Sequence, residues 1–178
     1  MSGINYDLSK IKALVFDVDG VLSPSTIPLD NEGNPTRMVN IKDGYAIQLA
    51  RKLNIPIAII TGARSETIKL RYSALGVEHI YIGADVKIKV FNEWIQSVKL
   101  APEEILYMGD DIPDLECMQM VGIPVCPADA CSEVIEASRY VSEFGGGKGA
   151  VRDIVEQVLR SQDEWAKDRQ GVLGVASR

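Results

Sequence analysis

Two carboxylates, Asp17 and Asp19, come directly after a short apolar run and could do chemistry together. The run at 13–16 is rich enough in Val, Leu and Phe to be a strand buried on both faces, as in a parallel sheet. Because side chains alternate along a strand, both carboxylates leave the same side of the backbone. Two like charges so close repel unless one is protonated or a cation lies between them. A strand that ends in a polar turn, with Gly20 as its sharp bend, explains the pair about equally well.

Polar groups follow other predicted strands in the same way. Apolar runs at 55–60, 77–82, 105–108 and 121–125 alternate with helical patterns, which predicts an α/β fold with a doubly wound, Rossmann-like parallel sheet. Ligands of such sheets bind outside the carboxyl ends of the strands. The polar residues that follow strands two, three and four are Thr61, Gly62, Lys87, Asp110, Asp111 and Asp114. We therefore expect groups distant in sequence to meet at one edge of the sheet.

The chemistry that this set favours is magnesium-dependent phosphoryl transfer. Several carboxylates without histidines form an oxygen-only site for a hard cation such as Mg²⁺. Phosphoryl transfer needs positioning and neutralisation of charge, which the cation, the Lys87 ammonium and the N–H groups near Thr61 would supply. A carboxylate can itself be the nucleophile. Asp17 would then be ionised while Asp19 holds a proton for the leaving oxygen, so their surroundings must push the two pKa values apart.

Two segments between these groups help to position them. Residues 21–40 contain a Gly turn between two extended arms, which predicts a small β-hairpin inserted after the first strand. Asp43 is interpreted as the cap of a helix from Gly44 to Leu53. The last helix is predicted at 150–168.

Composition limits the classes of protein to which the chain can belong. It has 178 residues, 46% of them hydrophobic, which suits a single domain, predicted at 1–170, followed by a loose tail at 171–178. The net charge of -6 argues against nucleic acid as a partner. No apolar run is typical of a signal peptide or a bilayer span, so we expect a cytoplasmic protein without a membrane partner. The three cysteines and the single His79 form no disulfide or zinc pattern.

Four motifs in order carry a resemblance to a known family. DVDGVLS at 17–23, ITG at 60–62, Lys87 and GDDIPD at 109–114 resemble the haloacid dehalogenase superfamily of phosphatases, and the resemblance covers 11–158. It implies a nucleophilic Asp17 and a general acid and base at Asp19, with Thr61 and Lys87 binding phosphate. It also implies Mg²⁺ held by Asp17, the backbone carbonyl of Asp19 and Asp110, supported by Asp111 and Asp114.

Members of this superfamily usually cover the site with a cap domain, for which this chain has no room between its motifs. The stretches NIKDGYAIQLA at 40–50 and GGGKGAVRDI at 145–154 resemble the capless branch that hydrolyses octulosonate 8-phosphate. That resemblance implies a homotetramer in which a neighbouring subunit helps to close each site. It also implies a sugar-acid phosphate on the lipopolysaccharide route as the substrate.

Departures from that branch leave alternatives open. Its members often have Arg directly after the Thr-Gly pair, where this chain has Ala63 and then Arg64. Substrate contacts are expected from Arg64, Asp43, Gly44 and Lys148. A phosphatase of a nine-carbon keto-deoxy sugar acid is the alternative function. A receiver domain that stores an aspartyl-phosphate for signalling is a more distant alternative. In receiver domains the Lys comes after the acidic residues, whereas here Lys87 precedes Asp110 and Asp111.

Overall fold

Six parallel strands form the sheet around which the chain is built. The structure is a computed structural model that describes residues 4–165. The strands are β1 (Ala13–Phe16), β2 (Ile57–Ile60), β3 (His79–Tyr81), β4 (Ile105–Met108), β5 (Ile123–Cys126) and β6 (Tyr140–Val141). Their order in the sheet is β3-β2-β1-β4-β5-β6, and every pair is parallel. β2 and β3 therefore lie on one side of β1, and β4, β5 and β6 lie on the other. This order differs from the 2-1-3-4-5 order of receiver-type sheets.

Six helices and three short 3-10 turns connect the strands. The helices are α1 (Ile41–Lys52), α2 (Glu66–Ser73), α3 (Lys87–Val98), α4 (Leu115–Met120), α5 (Ser132–Ala137) and α6 (Ala150–Ser161). The 3-10 turns are Leu8–Lys10, Pro102–Glu104 and Ile112–Asp114. The doubly wound α/β fold predicted from the strand and helix pattern is confirmed.

Two hydrophobic cores lie on opposite faces of the sheet, because side chains alternate along each strand. In β1, Leu14 and Phe16 pack with α1, α2 and α6, while Ala13 and Val15 pack with α3, α4 and α5. All four side chains are fully buried. Helices on both faces hold β1 and β4 rigidly, and these strands carry the acidic residues of the site.

The start of α1 differs from the prediction. Its N-cap is Asn40, whose side-chain oxygen accepts hydrogen bonds from the backbone N–H groups of Lys42 and Asp43. The interpretation of Asp43 as the cap is wrong, because Asn40 already binds the free N–H groups at this helix end. Asp43 lies inside the first turn and is buried. Gly44 is consequently a residue of the helix itself and not its first position.

The predicted hairpin exists in a minimal form. A single antiparallel bridge joins Leu29 and Pro35, and the Thr36 N–H donates to the carbonyl of Pro28. Asp30 organises the turn, since its Oδ1 accepts from the N–H groups of Glu32 and Asn34 at 2.9 and 2.8 Å. The arms at 21–40 therefore run as extended loops.

The last helix ends earlier than predicted, at Ser161. The predicted tail at 171–178 lies outside the described residues.

Candidate active site

Three carboxylates from two neighbouring strands form a cluster at the carboxyl edge of the sheet. Asp17 follows β1 directly, and Asp110 and Asp114 follow β4, which pairs with β1. One carboxylate oxygen from each of the three lies within 4.8 Å of the others. The strand pairing thus produces the convergence that the sequence pattern predicts for Asp17 and Asp110.

Lys87 lies between two of these carboxylates. Its Nζ is 2.8 Å from Asp17 Oδ2 and 2.8 Å from Asp114 Oδ1, and all three side chains are buried. Lys87 is the first residue of α3, whose amphipathic face fixes it by burying Phe91 and Trp94. An ammonium in this position neutralises negative charge that gathers beside Asp17.

Asp114 accepts more hydrogen bonds than its predicted role in supporting the metal required. Its Oδ1 accepts from Lys87 Nζ and from the Tyr107 hydroxyl at 2.8 Å, and its Oδ2 accepts from the Asp110 N–H at 3.2 Å. Asp114 is fully buried and so orients the ammonium as well as the backbone at 110. Tyr107 was missed, because its position in the apolar run of β4 gives it the pattern of a core residue.

Crowding and burial raise the pKa values of two of the clustered carboxylates, Asp17 and Asp110. Burial first, and then the charge of Asp114, raise the pKa of Asp17 to about 7, although Lys87 acts in the opposite direction. Burial, followed by repulsion from Asp17 and Asp114, raises the pKa of Asp110 to about 8. Burial disfavours the Lys87 ammonium, but the charges of Asp17 and Asp114 outweigh it and raise its pKa. One ammonium therefore does not balance three carboxylates, and the cluster favours a further cation.

Asp19 lies apart from this cluster in an ion pair that sequence reasoning missed. Arg37 Nε is 2.6 Å from Asp19 Oδ1 and Arg37 Nη2 is 2.7 Å from Oδ2, and the Ser23 hydroxyl donates to Oδ1 at 3.1 Å. A bidentate guanidinium favours the ionised carboxylate. The protein groups alone thus raise the pKa of Asp17, while Asp19 is held by the Arg37 guanidinium. A divalent cation beside Asp17 would favour its ionised form.

Gly20 lets two motifs approach each other closely. It has φ +89°, and a Cβ at this position would lie 1.9 Å from Asp110 Oδ2. The glycine is therefore required by the carboxylate of Asp110 as well as by the turn. Asp110 Oδ1 is buried without a hydrogen-bond partner among the described residues.

Thr61 and Gly62 follow β2 on the other side of β1. Thr61 is buried, its carbonyl accepts from the N–H of Ala84, and its Oγ1 accepts from the N–H of Ala63 at 3.2 Å. Gly62 is exposed and has open space where a Cβ would lie. Both residues line the same cleft as the acidic cluster, a cavity of about 500 Å³.

Asp111, predicted to support the metal, and Arg64, predicted to contact the substrate, both lie at the cleft or on its rim but have other partners. Asp111 lines the cleft, but its Oδ1 accepts from the N–H of Ile112 and its carboxylate is not part of the three-carboxylate cluster. Arg64 is 70% exposed and forms an ion pair with Asp85 on the rim.

The other three residues, Asp43, Gly44 and Lys148, are not among those that line this cleft, and their contact with substrate stays a prediction. Asp43 faces α6, where its Oδ1 accepts from the Arg152 N–H at 2.8 Å. Lys148 lines a separate cavity beside α6. α1 begins earlier than predicted and packs against α6, which brings Asp43 of its first turn to the Arg152 N–H.

The donor set fits a magnesium ion. Three carboxylates that converge within 4.8 Å, with the buried Asp110 Oδ1 unpartnered, offer the hard oxygen ligands that Mg²⁺ prefers. The raised pKa values of Asp17 and Asp110 have the same origin, because uncompensated negative charge is concentrated there. Asp17 and Asp110 are the residues that would hold the ion, while Asp114 is already occupied by Lys87 and Tyr107.

Residues 36–128 match the family model of haloacid dehalogenase-like hydrolases. The chain belongs to this family. It is 39% identical over 152 residues to the 3-deoxy-D-manno-octulosonate 8-phosphate phosphatase of Salmonella typhi, a match that covers 85% of this chain and 81% of that protein. The Escherichia coli K12 enzyme of the same name is 38% identical over the same length. Membership in the capless branch and phosphomonoesterase activity follow, and the receiver-type alternative is excluded.

Solved structures support the same conclusion. The crystal structure of the Yersinia pestis 3-deoxy-D-manno-octulosonate 8-phosphate phosphatase superposes with a TM-score of 0.85 at 35% identity, covering 89% of this chain and 85% of that one. The enzyme from Moraxella catarrhalis superposes with a TM-score of 0.84 at 32% identity, covering 88% and 90%. Its crystal contains a magnesium ion, a phosphate ion and the sugar acid. Magnesium is therefore the cofactor of this family member too.

Among the described residues, the helices are all too short or too polar to cross a membrane.

Proposed function

We propose that the enzyme hydrolyses 3-deoxy-D-manno-octulosonate 8-phosphate to the free sugar acid and phosphate, as a step of lipopolysaccharide biosynthesis in the cytoplasm. The observation that carries the proposal is the buried Asp17–Lys87–Asp114 array next to Asp110, in a chain whose relatives of that name match it over 85% of its length. This array provides a nucleophile, a cation and a metal site in one cleft.

In the first half of the proposed reaction, a carboxylate oxygen of Asp17 attacks phosphorus and the ester bond to the sugar oxygen breaks. Asp17 then carries the phosphoryl group as an acyl phosphate. The leaving sugar oxygen takes a proton from Asp19, which requires that carboxyl to be protonated in the substrate complex. Lys87 and the N–H groups near Thr61 neutralise charge on the transferred oxygens, and bound magnesium adds further neutralisation.

In the second half, Asp19 accepts a proton from a water molecule whose oxygen attacks the phosphorus. The bond to Asp17 breaks, phosphate is released and the Asp17 carboxylate is restored. Arg37 positions Asp19 for this role, because its guanidinium lies 2.6 Å from Asp19 Oδ1 and fixes the orientation of the carboxylate in the cleft.

A homotetramer in which a neighbouring subunit closes the cleft is part of the proposal. Apolar side chains along the hairpin arm are exposed in the single chain, namely Leu29, Met38, Val39 and Ile41. An exposed row of this kind is typical of a subunit interface. Sedimentation equilibrium is expected to give four chains per particle, and a monomer at micromolar concentration would contradict this part.

The alternative substrate is the 9-phosphate of a nine-carbon keto-deoxy sugar acid. Ala63 favours neither substrate class, because it supplies neither a positive nor a negative group after Gly62.

The deciding experiment measures phosphate release with Mg²⁺ and compares kcat/KM for the eight-carbon acid phosphate, the nine-carbon acid phosphate and an aryl phosphate. We expect a preference for the eight-carbon acid of about a hundredfold or more over the aryl phosphate. A preference for the nine-carbon acid would select the alternative. Similar low values on all three would retain the phosphatase and reject both substrates.

A further inference from the structure

A second, smaller cavity lies behind Asp19. It holds about 160 Å³ and shares none of its lining residues with the acidic cleft. Two arginines line it, Arg37 from the hairpin arm and Arg71 from α2, together with Ser23 and the apolar groups of Val39, Ile68 and Tyr72. The two cavities meet at one ion pair, in which Asp19 lines the cleft and Arg37 lines the small cavity.

The ion pair with Asp19 uses only part of the Arg37 guanidinium. Its side chain is 10% exposed, and Nε and Nη2 are used on Asp19. Its Nη1 is buried and has no hydrogen-bond partner among the described residues. A buried guanidinium N–H without a partner costs free energy unless a ligand or water binds it.

Arg71, which lines the same cavity, also has a buried N–H group that no described residue accepts. Its Nε is buried and also lacks a partner within the described part of the chain. Its guanidinium lies against the Cα of Gly44, where a Cβ would come within 2.7 Å of Arg71 Nη2. Glycine inside a helix is less stable than Ala, and the close approach of Arg71 explains why glycine is needed at position 44.

The charges around the cavity favour a small anion. The nearby acids are Asp19, which is already paired with Arg37, and Asp43, whose pKa burial raises to about 6. Arg71 has no ion pair among the described residues to match that of Arg37. A planar carboxylate, which accepts from two guanidinium groups at once, suits these donors.

We propose that the cavity between Arg37 and Arg71 is a carboxylate-binding subsite that holds the acid group of the substrate, with Arg71 as a specificity-determining residue and Gly44 as its positioning residue. This inference rests on the proposed function, since it assigns a role to the carboxylate of a sugar-acid phosphate. It also places recognition of that group next to Asp19, which exchanges protons with the same substrate.

The test compares two substrates in the full-length enzyme, the eight-carbon sugar-acid phosphate and sedoheptulose 7-phosphate, a keto sugar phosphate without a carboxylate. Arg71→Gln is expected to raise KM for the acid about ten- to a hundredfold, the usual effect of losing a charge-assisted hydrogen bond, and to leave kcat/KM for the neutral sugar phosphate unchanged. Gly44→Ala keeps every charge and favours the helix, and it is expected to give the same selective rise because its methyl group displaces Arg71. Lys69→Gln, on the same helix, is the matched control and should change neither substrate.

Equal losses on both substrates would overturn the proposal, because Arg71 would then act on the fold or on the chemistry. Unchanged kinetics on both would overturn it as well and would make the cavity a water site. A second readout is independent of turnover: calorimetric binding of the free eight-carbon acid to Asp17→Asn protein should weaken at least tenfold when Arg71→Gln is added. If wild-type enzyme shows no preference for the acid phosphate, yet this binding still depends on Arg71, the proposed function fails and the subsite remains.

Discussion

The backbone of Gly146 lies directly against the carbonyl oxygen of Gly20, so that a Cβ at position 146 would be 1.9 Å from that oxygen. Gly20 is itself in contact with the Asp110 carboxylate on its other side. The N–H of Gly147 donates to the carbonyl of Val21 at 2.8 Å, which ties the glycine-rich loop to the turn after Asp19. The loop at 145–149 therefore supports the turn that carries the acidic motif.

Gly146→Ala is expected to damage the metal site through this contact. The added methyl group must push the Gly20 carbonyl toward Asp110, because backbone atoms cannot move aside as a side chain tip can. We expect kcat to fall about tenfold or more and the Mg²⁺ dissociation constant, measured by calorimetry, to rise, with KM little changed. Normal Mg²⁺ binding by the Gly146 variant would contradict this account.

Asp17→Asn is expected to abolish turnover and leave the fold intact. The amide is the same size and can still accept from the Val18 N–H, but it is a poor nucleophile toward phosphorus. We expect kcat to fall by at least about a thousandfold, as for the loss of a nucleophile in other enzymes. Circular dichroism and urea unfolding check the fold. Appreciable multiple-turnover phosphate release by the purified variant would rule out Asp17 as nucleophile.

Sequence reasoning predicted the parts of the site that depend on strand ends. The bounds of β1 and β4 agree with the predicted runs, and Lys87 begins a helix at the predicted residue. It missed Arg37 and Tyr107, because their partners are set by tertiary packing and no local pattern distinguishes them from a loop cation and a core aromatic. Asp43 shows the same limit, since its contact with Arg152 joins positions 109 residues apart. Local patterns thus predict which edge of the sheet is functional, while pairing across elements decides which side chains are held there.

Tyr107→Phe is expected to weaken the fold more than the reaction. The substitution removes the 2.8 Å hydrogen bond to Asp114 Oδ1 without creating a cavity, and the fully buried carboxylate loses one of its donors. We expect the free energy of unfolding to drop by about 1 to 3 kcal/mol. Activity should fall less than tenfold, because Lys87 remains bound to both carboxylates. Tyr81→Phe, which alters a partly exposed residue of β3, is the comparison in the same urea titration. Equal stability of the two variants would show that the Asp114 bond contributes nothing.

Asp43 is expected to make the stability of the fold depend on pH in mildly acidic solution. Burial raises its pKa from 3.8 to about 6 in the folded chain, so the folded state binds the proton more tightly than the unfolded state. The contribution of Asp43 to the free energy of unfolding is therefore fully present below pH 3.8 and is lost as the pH rises to about 6. The total change in the free energy of unfolding is about 3 kcal/mol at most. Asp43→Asn should remove this slope, because the amide does not ionise and still accepts from the Arg152 N–H through Oδ1. Urea unfolding of both proteins from pH 4 to pH 7 measures the difference, and parallel curves would show that Asp43 is not protonated in the folded state over this range.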